Sequence, residues 1–338
     1  MTYRVAINGF GRIGRNYLRR FAGTALSDAG LQVVAINDLY DAATLAHLLE
    51  YDSTFGRIDA EVGYDDEKLI VGRHEIPTFA ERRPDALPWG DLGVDLVIES
   101  TGRLRTRDDA ALHLKAGAGR VLISAPGKGV DATLVPGVNA DSYDPDRHLI
   151  VSAASCTTNC VAPLLKVLHE AFGVERGYLT TVHAYTNDQN VLDGPHQDPR
   201  RARAAAVNII PTSTGAAKAV GLVLPELAGR LDGVALRVPV VDGSISDLTL
   251  ELGTEVTAAR INEVVAGASA AGQPMHGIIR YAESPIVSTD IIGDPASCVF
   301  DARLTQAQGR LAKVFGWYDN EWGYTSRLVD LTKQMAGR

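Results

Sequence analysis

The sequence predicts an α/β fold in two parts: a doubly wound, mostly parallel sheet, then an α+β part with a mostly antiparallel sheet. Two observations lead to this expectation. Strand-like and helix-like segments alternate over roughly the first 150 residues, which is the pattern of a parallel sheet with helices on both faces. After residue 175 several β-rich runs follow with few helices between them, which indicates antiparallel strand pairs.

Composition narrows the class of protein. The chain has 338 residues, 46% of them hydrophobic and 22% charged, which is typical of a globular protein with about two domains. The net charge is −8 without a long block of either sign, which argues against nucleic acid as the main partner. Three cysteines are too few for a disulfide framework and indicate a reducing compartment. No apolar run reaches about 18 residues and no signal core precedes the first strand, so we expect no membrane partner.

The alternating first part contains six predicted strands and three predicted helices. The strands are 4–7, 31–36, 68–71, 94–100, 120–124 and 148–152, and the helices are one containing Ile13 and Phe21, then 42–51 and 108–116. In such a sheet ligands bind beyond the carboxyl ends of the strands. Residues 100–102 and 124–127 follow strands there and are either ordinary turns or part of a ligand site.

A glycine motif joins the first strand to the first helix. Gly9, Gly11 and Gly14 match G-x-G-x-x-G, in which glycines allow a tight turn, close approach of a pyrophosphate and close helix packing. Asp38 ends the second strand, 24 residues after Gly14, where a carboxylate holds a ribose hydroxyl and repels a 2′-phosphate. The first part is therefore predicted to be a Rossmann-type domain that binds NAD rather than NADP.

The second part contains a long polar segment between its strands. Predicted strands are 175–185, 234–240, 244–252, 277–281, 298–301 and 312–318, and predicted helices are 161–172, 216–227, 258–271 and 326–335. Residues 187–211 are polar and carry Arg200, Arg201 and Arg203, which form either a solvated basic face or a phosphate or subunit contact. Residues 212–215 precede a helix and predict a capped N-terminus and a possible anion site.

Cys156 lies at a predicted strand-to-helix junction. A helix N-terminus presents unpaired N–H groups and partial positive charge, so the pattern predicts a thiol with a lowered pKa and nucleophilic character. The alternative is a buried structural cysteine, although hydrogen-bonding residues crowd this thiol more than a cap requires. Cys160 follows one helical turn later, and without a second pair we do not expect a metal site.

Five motifs, in order along the chain, resemble phosphorylating glyceraldehyde-3-phosphate dehydrogenase. They are Asn-Gly-Phe-Gly-Arg-Ile-Gly-Arg at 8–15, Ala-Ser-Cys-Thr-Thr-Asn-Cys at 154–160, His-Ala-Tyr-Thr at 183–186, Ser-Thr-Gly-Ala-Ala-Lys at 213–218, and Trp-Tyr-Asp-Asn-Glu-Trp-Gly-Tyr at 317–324. The resemblance implies a cytoplasmic homotetramer that binds NAD, a phosphorylated aldehyde and inorganic phosphate. It also implies an NAD-binding Rossmann domain at 1–154, a catalytic and substrate-binding domain at 155–320, and a C-terminal helix at 321–338 that packs on the first domain.

The resemblance assigns roles to individual residues. Cys156 is expected to attack the aldehyde and His183 to act as the general base. The residues expected to contact NAD are Gly9, Gly11, Arg12, Ile13, Gly14, Asp38, Arg82, Ser124 and Asn320. The residues expected to bind the attacking phosphate or the reacting group are Ser155, Thr157, Arg201, Thr214 and Gly215, and those expected to bind the substrate phosphate are Thr186 and Arg237.

Some positions depart from the family pattern, and other functions stay open at this point. Ala153 stands where the family most often has asparagine, and Pro199 where it usually has leucine. An erythrose-4-phosphate dehydrogenase is one alternative, but such relatives typically lack the motifs at 183–186 and 213–215. A non-catalytic NAD-binding protein and a cofactor-free thiol hydrolase are the others, and the presence of Cys156, His183 and Asp38 together disfavours both.

Overall fold

Two separate β-sheets organise the chain. The structure is a computed structural model that describes residues 2–22 and 30–337. Unit 1 comprises Met1–Leu134, Ala140–Ala154 and Thr325–Arg338, and unit 2 comprises Val135–Asn139 and Ser155–Tyr324. Met1 and Arg338, the outer ends of the predicted N-terminal domain and C-terminal helix, lie outside the described residues.

Unit 1 is built on a mostly parallel sheet. Its elements are β1 (Tyr3–Asn8), α1 (Arg12–Ala22), β2 (Leu31–Asn37), α2 (Ala42–Glu50), β3 (Val62–Tyr64), β4 (Lys68–Val71), β5 (His74–Phe79), β6 (Leu96–Glu99), α3 (Arg107–Lys115), β7 (Arg120–Ile123), β8 (Ala132–Thr133) and β9 (Ile150–Ser152). The strand order is β3-β4-β5-β2-β1-β6-β7-β9-β8. All neighbours from β5 to β8 are parallel, and β3 and β4 extend the edge as antiparallel strands.

The central strands of this sheet are covered on both faces. All four residues of β6 are buried, and β1 and β2 are buried over most of their length, as expected of parallel strands with helices on both sides. Trp89 is fully buried and packs edge-on against Phe79, with 6.2 Å between ring centroids. The predicted doubly wound sheet is therefore confirmed.

Three short strands of this sheet were not predicted from sequence. β3, β5 and β8 are two to six residues long, and most of their residues are only partly buried. Pro77 also interrupts the β5 segment. Short, partly buried strands of this kind lack a continuous apolar run or a strict alternation, so they give little periodic signal.

Unit 2 is built on a mostly antiparallel sheet. Its elements are α4 (Cys156–Phe172), β10 (Val174–Ala184), β11 (Ile210–Ser213), α5 (Ala216–Val223), β12 (Leu231–Val238), β13 (Ser244–Leu252), α6 (Ala258–Ser269), β14 (Ile279–Ala282), β15 (Cys298–Asp301), β16 (Gln306–Gln308) and β17 (Leu311–Tyr318), and the last helix, α7 (Trp322–Met335), begins here and continues into unit 1. The strand order is β11-β12-β10-β13-β17-β15-β14, with β16 paired to β17. Only β10 with β12 and β14 with β15 are parallel.

The two faces of this sheet differ in burial. Alternate residues of β13, from Ser244 to Leu252, are buried on the face that α4 covers, while the residues between them are partly exposed. The outer face includes the exposed side chains of Tyr178, Val234 and Leu311. Alternation of period two places these residues on one side of the sheet.

Two of the helix boundaries that differ from the sequence expectation have a clear physical cause. The predicted helix 216–227 ends at Val223, because Pro225 cannot continue it and starts a short 3-10 turn. The predicted helix 326–335 begins earlier, at Trp322, because the Asp319 carboxylate accepts the backbone N–H groups of Glu321 at 2.8 Å and Trp322 at 2.6 Å. Neither boundary has a hydrophobic periodicity that would have marked it.

The described helices do not include one that is both long and apolar enough to cross a membrane.

Candidate active site

Cys156 is the first residue of α4. Ser155 is the N-cap, and its hydroxyl accepts the backbone N–H of Thr158 at 3.0 Å. The preceding residue, Ala154, has φ = 58° and is the only non-glycine residue with positive φ in the described ranges. This left-handed backbone costs about 1–2 kcal/mol for an L-residue with a Cβ. Ala154 directly precedes the N-cap of α4, the helix whose first residue carries the thiol.

His183 lies next to this thiol. It is the penultimate residue of β10, and its Nε2 is 3.4 Å from the Sγ of Cys156. Its Nδ1 lies 2.7 Å from the carbonyl oxygen of Ala184 and 3.0 Å from Nη1 of Arg237. The tautomer with hydrogen on Nδ1 donates to Ala184 and leaves Nε2 free to accept the thiol proton. The structure thus brings the predicted nucleophile and base together.

Burial controls the protonation of this pair. Burial and then Arg237 lower the pKa of His183 to about 3, so the ring is neutral near pH 7. Burial also raises the pKa of the Cys156 thiol, although Arg237 and the backbone N–H of Thr157 act in the opposite direction. The sequence predicted a lowered thiol pKa from the helix N-terminus alone, and in the free protein desolvation outweighs that effect. The resting pair is therefore a neutral thiol beside a neutral imidazole.

Tyr318 contacts residues around the Cys156–His183 pair, and it was not predicted as a site residue from the sequence. Its hydroxyl lies 2.8 Å from Oγ1 of Thr157 and 2.8 Å from Oγ1 of Thr181. Its ring meets the His183 ring edge-on, with 5.9 Å between centroids. In the sequence, Tyr318 stands out only as part of the 317–324 motif. The fold shows that it contacts both the start of α4 and the ring of His183.

Two arginines supply positive charge beside the pair. Nη1 of Arg237 lies 3.1 Å from the Ala184 carbonyl oxygen and 3.4 Å from Oγ1 of Thr186. Arg201 also lowers the pKa of His183, so it lies near the imidazole. An anion close to Thr186 and these arginines would find hydrogen-bond donors and two charges.

Arg201 is held by its own segment. Its Nε donates to Oγ1 of Thr212 at 2.9 Å, its Nη2 lies 3.4 Å from the Ser213 carbonyl oxygen, and it forms an ion pair with Asp188. The Arg203 side chain, by contrast, is 62% exposed and pairs with Asp193. The polar segment 187–211 therefore contains one arginine that lies near His183, Arg201, and one that is exposed to solvent, Arg203. The Asp188 partnership was not anticipated from the sequence.

The remaining predicted phosphate residues lie at two helix starts. Ser155 and Thr157 flank Cys156 at the start of α4. Thr214 is half-buried before α5, and its Oγ1 accepts the N–H of Ala216 at 3.2 Å, while Gly215 is the exposed N-cap. The predicted cap at 212–215 is partly wrong, because residues 212 and 213 belong to strand β11. That strand pairs with β12, which fixes them away from the helix end.

In unit 1 the glycine motif forms a tight turn. Gly9 has φ = 91°, and a Cβ there would lie 2.6 Å from the backbone nitrogen of Thr101. A Cβ on Gly14 would lie 2.2 Å from the Gly9 carbonyl oxygen. A Cβ on Gly11, in contrast, would meet no atom within 4 Å. Gly9 and Gly14 thus allow close packing, and Gly11 faces open space where α1 begins.

The Asp38 carboxylate lies beside this turn. Its Oδ2 accepts the backbone N–H of Phe10 at 2.7 Å, which connects the end of β2 to the glycine motif. The half-buried side chain of Ile13 follows in α1. The Arg12 side chain forms an ion pair with Asp52, so Arg12 offers its backbone rather than a free guanidinium to a ligand.

Three further predicted cofactor residues lie at element ends. Arg82 is exposed after β5, in a segment that Asn37 holds by 2.9 Å hydrogen bonds to the backbone of Glu81. Ser124 is half-buried at the end of β7. Asn320, in unit 2, accepts a hydrogen bond from Ser244 on its Oδ1 at 2.7 Å, which orients its amide.

A buried polar network underlies the glycine turn and was missed from sequence. Glu99 accepts the Asn8 amide at 2.6 Å and lies 3.0 Å from Nε2 of His113. Trp89 donates to the other ring nitrogen of His113 at 3.0 Å. These residues are isolated polar positions within apolar elements, so only the fold shows that they satisfy one another.

In the described part of the chain no group of three His, Cys, Asp or Glu side chains is arranged to hold a metal ion.

Comparison with known proteins identifies the family. Residues 3–107 match the model of the glyceraldehyde 3-phosphate dehydrogenase NAD binding domain, and residues 155–320 match the model of its C-terminal domain. The chain is 58% identical to a glyceraldehyde-3-phosphate dehydrogenase of Streptomyces coelicolor, over 98% of each chain. It is 56% identical to that of Geobacillus stearothermophilus, over 100% of this chain and 99% of the relative. The chain belongs to the glyceraldehyde-3-phosphate dehydrogenase family.

Proposed function

We propose that this chain converts D-glyceraldehyde 3-phosphate and inorganic phosphate to 1,3-bisphosphoglycerate with reduction of NAD. The observation that carries the proposal is the 3.4 Å approach of His183 Nε2 to the Cys156 Sγ at the start of α4. A neutral imidazole is a competent base, and a thiol becomes a strong nucleophile once its proton is removed. The family membership and the NAD-binding domain support the same reaction.

The pair acts first on the aldehyde. As Cys156 Sγ attacks the aldehyde carbon, Nε2 of His183 takes the thiol proton and returns it to the aldehyde oxygen, so that a thiohemiacetal forms on Cys156 and the imidazole is neutral again. His183 then takes the hydroxyl proton of that adduct, which becomes a thioester on loss of hydride. NAD, when bound, supplies the hydride acceptor. Inorganic phosphate attacks the thioester carbonyl, and the acyl phosphate leaves as the thiolate is released.

Two groups of residues are proposed to hold the phosphates. Thr186 and Arg237 would bind the phosphate of the substrate, supported by the 3.4 Å contact between them. The attacking phosphate or the reacting group would be held by Ser155, Thr157, Arg201, Thr214 and Gly215. Helix N-termini, threonine hydroxyls and arginines together are suited to a divalent anion.

The glycine turn fits the cofactor. Gly11 leaves space where a pyrophosphate could approach the N-terminus of α1, and Asp38 places a carboxylate beside the same turn. We assign the cofactor contacts to Gly9, Gly11, Arg12, Ile13, Gly14, Asp38, Arg82, Ser124 and Asn320. A carboxylate at the ribose position favours NAD over NADP.

We also propose which part of the chain binds the cofactor and which part carries out catalysis. Residues 1–154 would bind NAD, with the C-terminal helix 321–338 packed on them, and residues 155–320 would bind the substrate and carry out catalysis. The hydrogen bond of 2.9 Å between the hydroxyls of Tyr17 in α1 and Thr332 in α7 supports the place of that helix in unit 1.

We also propose a cytoplasmic homotetramer. Exposed apolar side chains on the outer face of the unit 2 sheet, and Val191 and Leu192 at 82% and 77% exposure in the polar segment, support burial against further copies. Cys156, Cys160 and Cys298 all keep free thiols, which suits a reducing compartment. Light scattering of the purified protein measures the assembly, and a monomer would contradict this part.

The reaction is tested by NADH absorbance with glyceraldehyde 3-phosphate and NAD, with and without phosphate, and again with NADP or erythrose 4-phosphate. We expect steady turnover only with phosphate, and a single burst without it. Cys156→Ser should abolish the signal and keep NAD binding, because serine is not ionised at neutral pH. Turnover that ignores phosphate, or no signal from folded protein with reduced Cys156, would contradict the proposal.

A further inference from the structure

Asp242 is a buried carboxyl group with few hydrogen-bond donors. It lies between β12 and β13, and the residue is 1% exposed. Its Oδ1 accepts the backbone N–H of Gly243 at 2.8 Å. Its Oδ2 accepts no hydrogen bond from any donor in residues 2–22 and 30–337. An ionised carboxylate in this position would lack most of the donors that buried charges require.

The neighbouring carboxyl group of Asp319, in contrast, accepts hydrogen bonds on both of its oxygens. This residue is also 1% exposed, but its Oδ2 accepts the N–H of Gly293 at 2.7 Å and its Oδ1 accepts the N–H groups of Glu321 and Trp322. Burial raises the pKa of Asp319, but the three donors, two of them at the start of α7, act in the opposite direction and stabilise its ionised form.

Strand register brings the two carboxyl groups together. Ser244 at the start of β13 pairs with Tyr318 at the end of β17, so Asp242 and Asp319 leave the sheet at the same edge. After burial itself, the Asp319 carboxylate is the neighbour that raises the pKa of Asp242 most, as expected of two carboxyl groups close together. Two carboxyl groups can hydrogen-bond only if one of them carries a proton.

We propose that Asp242 is a neutral carboxylic acid whose O–H donates to the Asp319 carboxylate, and that this shared proton positions Ser244 and Asn320. The Ser244 hydroxyl donates to Oδ1 of Asn320 at 2.7 Å and accepts the N–H of Ala184, beside His183, at 3.1 Å. Asp242 is thus a positioning residue that acts through Ser244. Its effect on catalysis rests on the proposed function, whereas the protonation state does not.

The charges around Asp242 agree with this assignment. Burial first, then Asp319 and Glu321, raise the pKa of Asp242 from 3.8 to about 9. The third titratable group near it is the Cys156 thiol, whose pKa Asp242 raises in turn. Asp319 and Glu321 are both acids, so each opposes ionisation of Asp242.

The shift fixes how stability depends on pH. Between pH 3.8 and about 9 Asp242 is protonated in the folded protein and ionised in the unfolded chain. The folded state therefore binds more protons, and stability contributed by this group is present at low pH and lost as pH rises toward 9. Replacing Asp242 with a side chain that cannot ionise should therefore abolish this loss of stability at high pH.

The first test replaces Asp242 with asparagine, which keeps a donor toward Asp319. Asp232→Asn is a matched control, because Asp232 also precedes a glycine and accepts its N–H at 2.8 Å but is exposed. We expect the Tm of D242N minus that of the wild type to increase steadily from pH 5 to pH 9, and D232N to follow the wild type. A difference that is constant or decreases with pH would overturn the proposal.

A spectroscopic measurement reads the proton directly and is independent of activity. The infrared difference between wild type and D242N at pH 7.5 should contain the C=O stretch of a protonated carboxylic acid, and the D232N difference should not. An ionised carboxylate band in place of the acid band would contradict the shared proton.

The positioning role has its own readout in kinetics. Asp242→Leu, which has similar size but no donor, should lower kcat on the order of tenfold, as small misplacements of site groups do. Asp242→Asn should restore kcat, because its amide N–H replaces the acid O–H. Equal loss in both variants would refute the positioning role while leaving the protonation result intact.

Discussion

Nε2 of His183 lies 3.4 Å from Sγ of Cys156, and burial keeps both groups neutral in the free protein. The low pKa of His183 keeps the imidazole free of a proton at rest, and its Nδ1 is fixed by the Ala184 carbonyl. In the proposed reaction the proton moves to Nε2 as the thiol attacks, which is how a general base contributes to rate.

His183→Asn should slow NADH formation by about 10²–10⁴-fold, because asparagine cannot accept the thiol proton. The rate of Cys156 alkylation should also shift to higher pH, since burial of the thiol then acts without a neighbouring base. Stopped-flow absorbance and iodoacetamide labelling across pH measure the two effects. His276→Asn, an exposed histidine, is the control. Unchanged alkylation in the His183 variant would contradict the pairing.

Asp38→Ser should increase use of NADP relative to NAD, because it removes the carboxylate that repels a 2′-phosphate beside the glycine turn. The ratio of kcat/KM values for the two cofactors measures the change. Asp41→Ser is the matched control, since Asp41 caps α2 by accepting the N–H of Thr44 and serine caps equally well. If the cofactor ratio does not move in the Asp38 variant, that carboxylate does not select the cofactor.

Asp188→Asn should lower the KM for inorganic phosphate about two- to fivefold, because Asp188 competes with anions for Arg201. The effect is modest because half of the Asp188 side chain is exposed, and such ion pairs contribute up to about 1 kcal/mol. Asp193→Asn, which breaks the exposed pair with Arg203 in the same segment, should leave this KM unchanged. A higher KM in the Asp188 variant would mean that the ion pair orients Arg201 for phosphate.

Gly316→Ala should destabilise the protein by about 1–3 kcal/mol, because the added methyl overpacks a filled core. A Cβ there would lie 2.7 Å from Sγ of Cys298 and 3.1 Å from Sγ of Cys160. Denaturant unfolding measures the loss. Gly267→Ala in α6 is the control, since its Cβ meets nothing within 4 Å and alanine should add about 0.5–1 kcal/mol. Equal behaviour of the two variants would show that the cysteines can move aside.

The sequence by itself determined the sheet of unit 1, the place of Cys156 at a helix start and the glycine turn. Each depends on a local pattern: buried strands need apolar runs, and tight turns need glycine. It also determined that Asp38 follows the second strand, because strand end and turn are close along the chain. Short, partly buried strands such as β3 and β5 gave no such signal.

Only the tertiary structure decided what the individual groups do. Asp188 neutralises Arg201, Tyr318 joins Thr157 to Thr181, and Asp242 meets Asp319, all across wide separations in sequence. The direction of the Cys156 pKa shift was decided in the same way. A helix N-terminus can be identified from sequence, but desolvation depends on how much protein surrounds the thiol. Burial depends on how the chain packs. The sequence therefore shows which residue is present, but the tertiary structure determines whether its side chain is protonated.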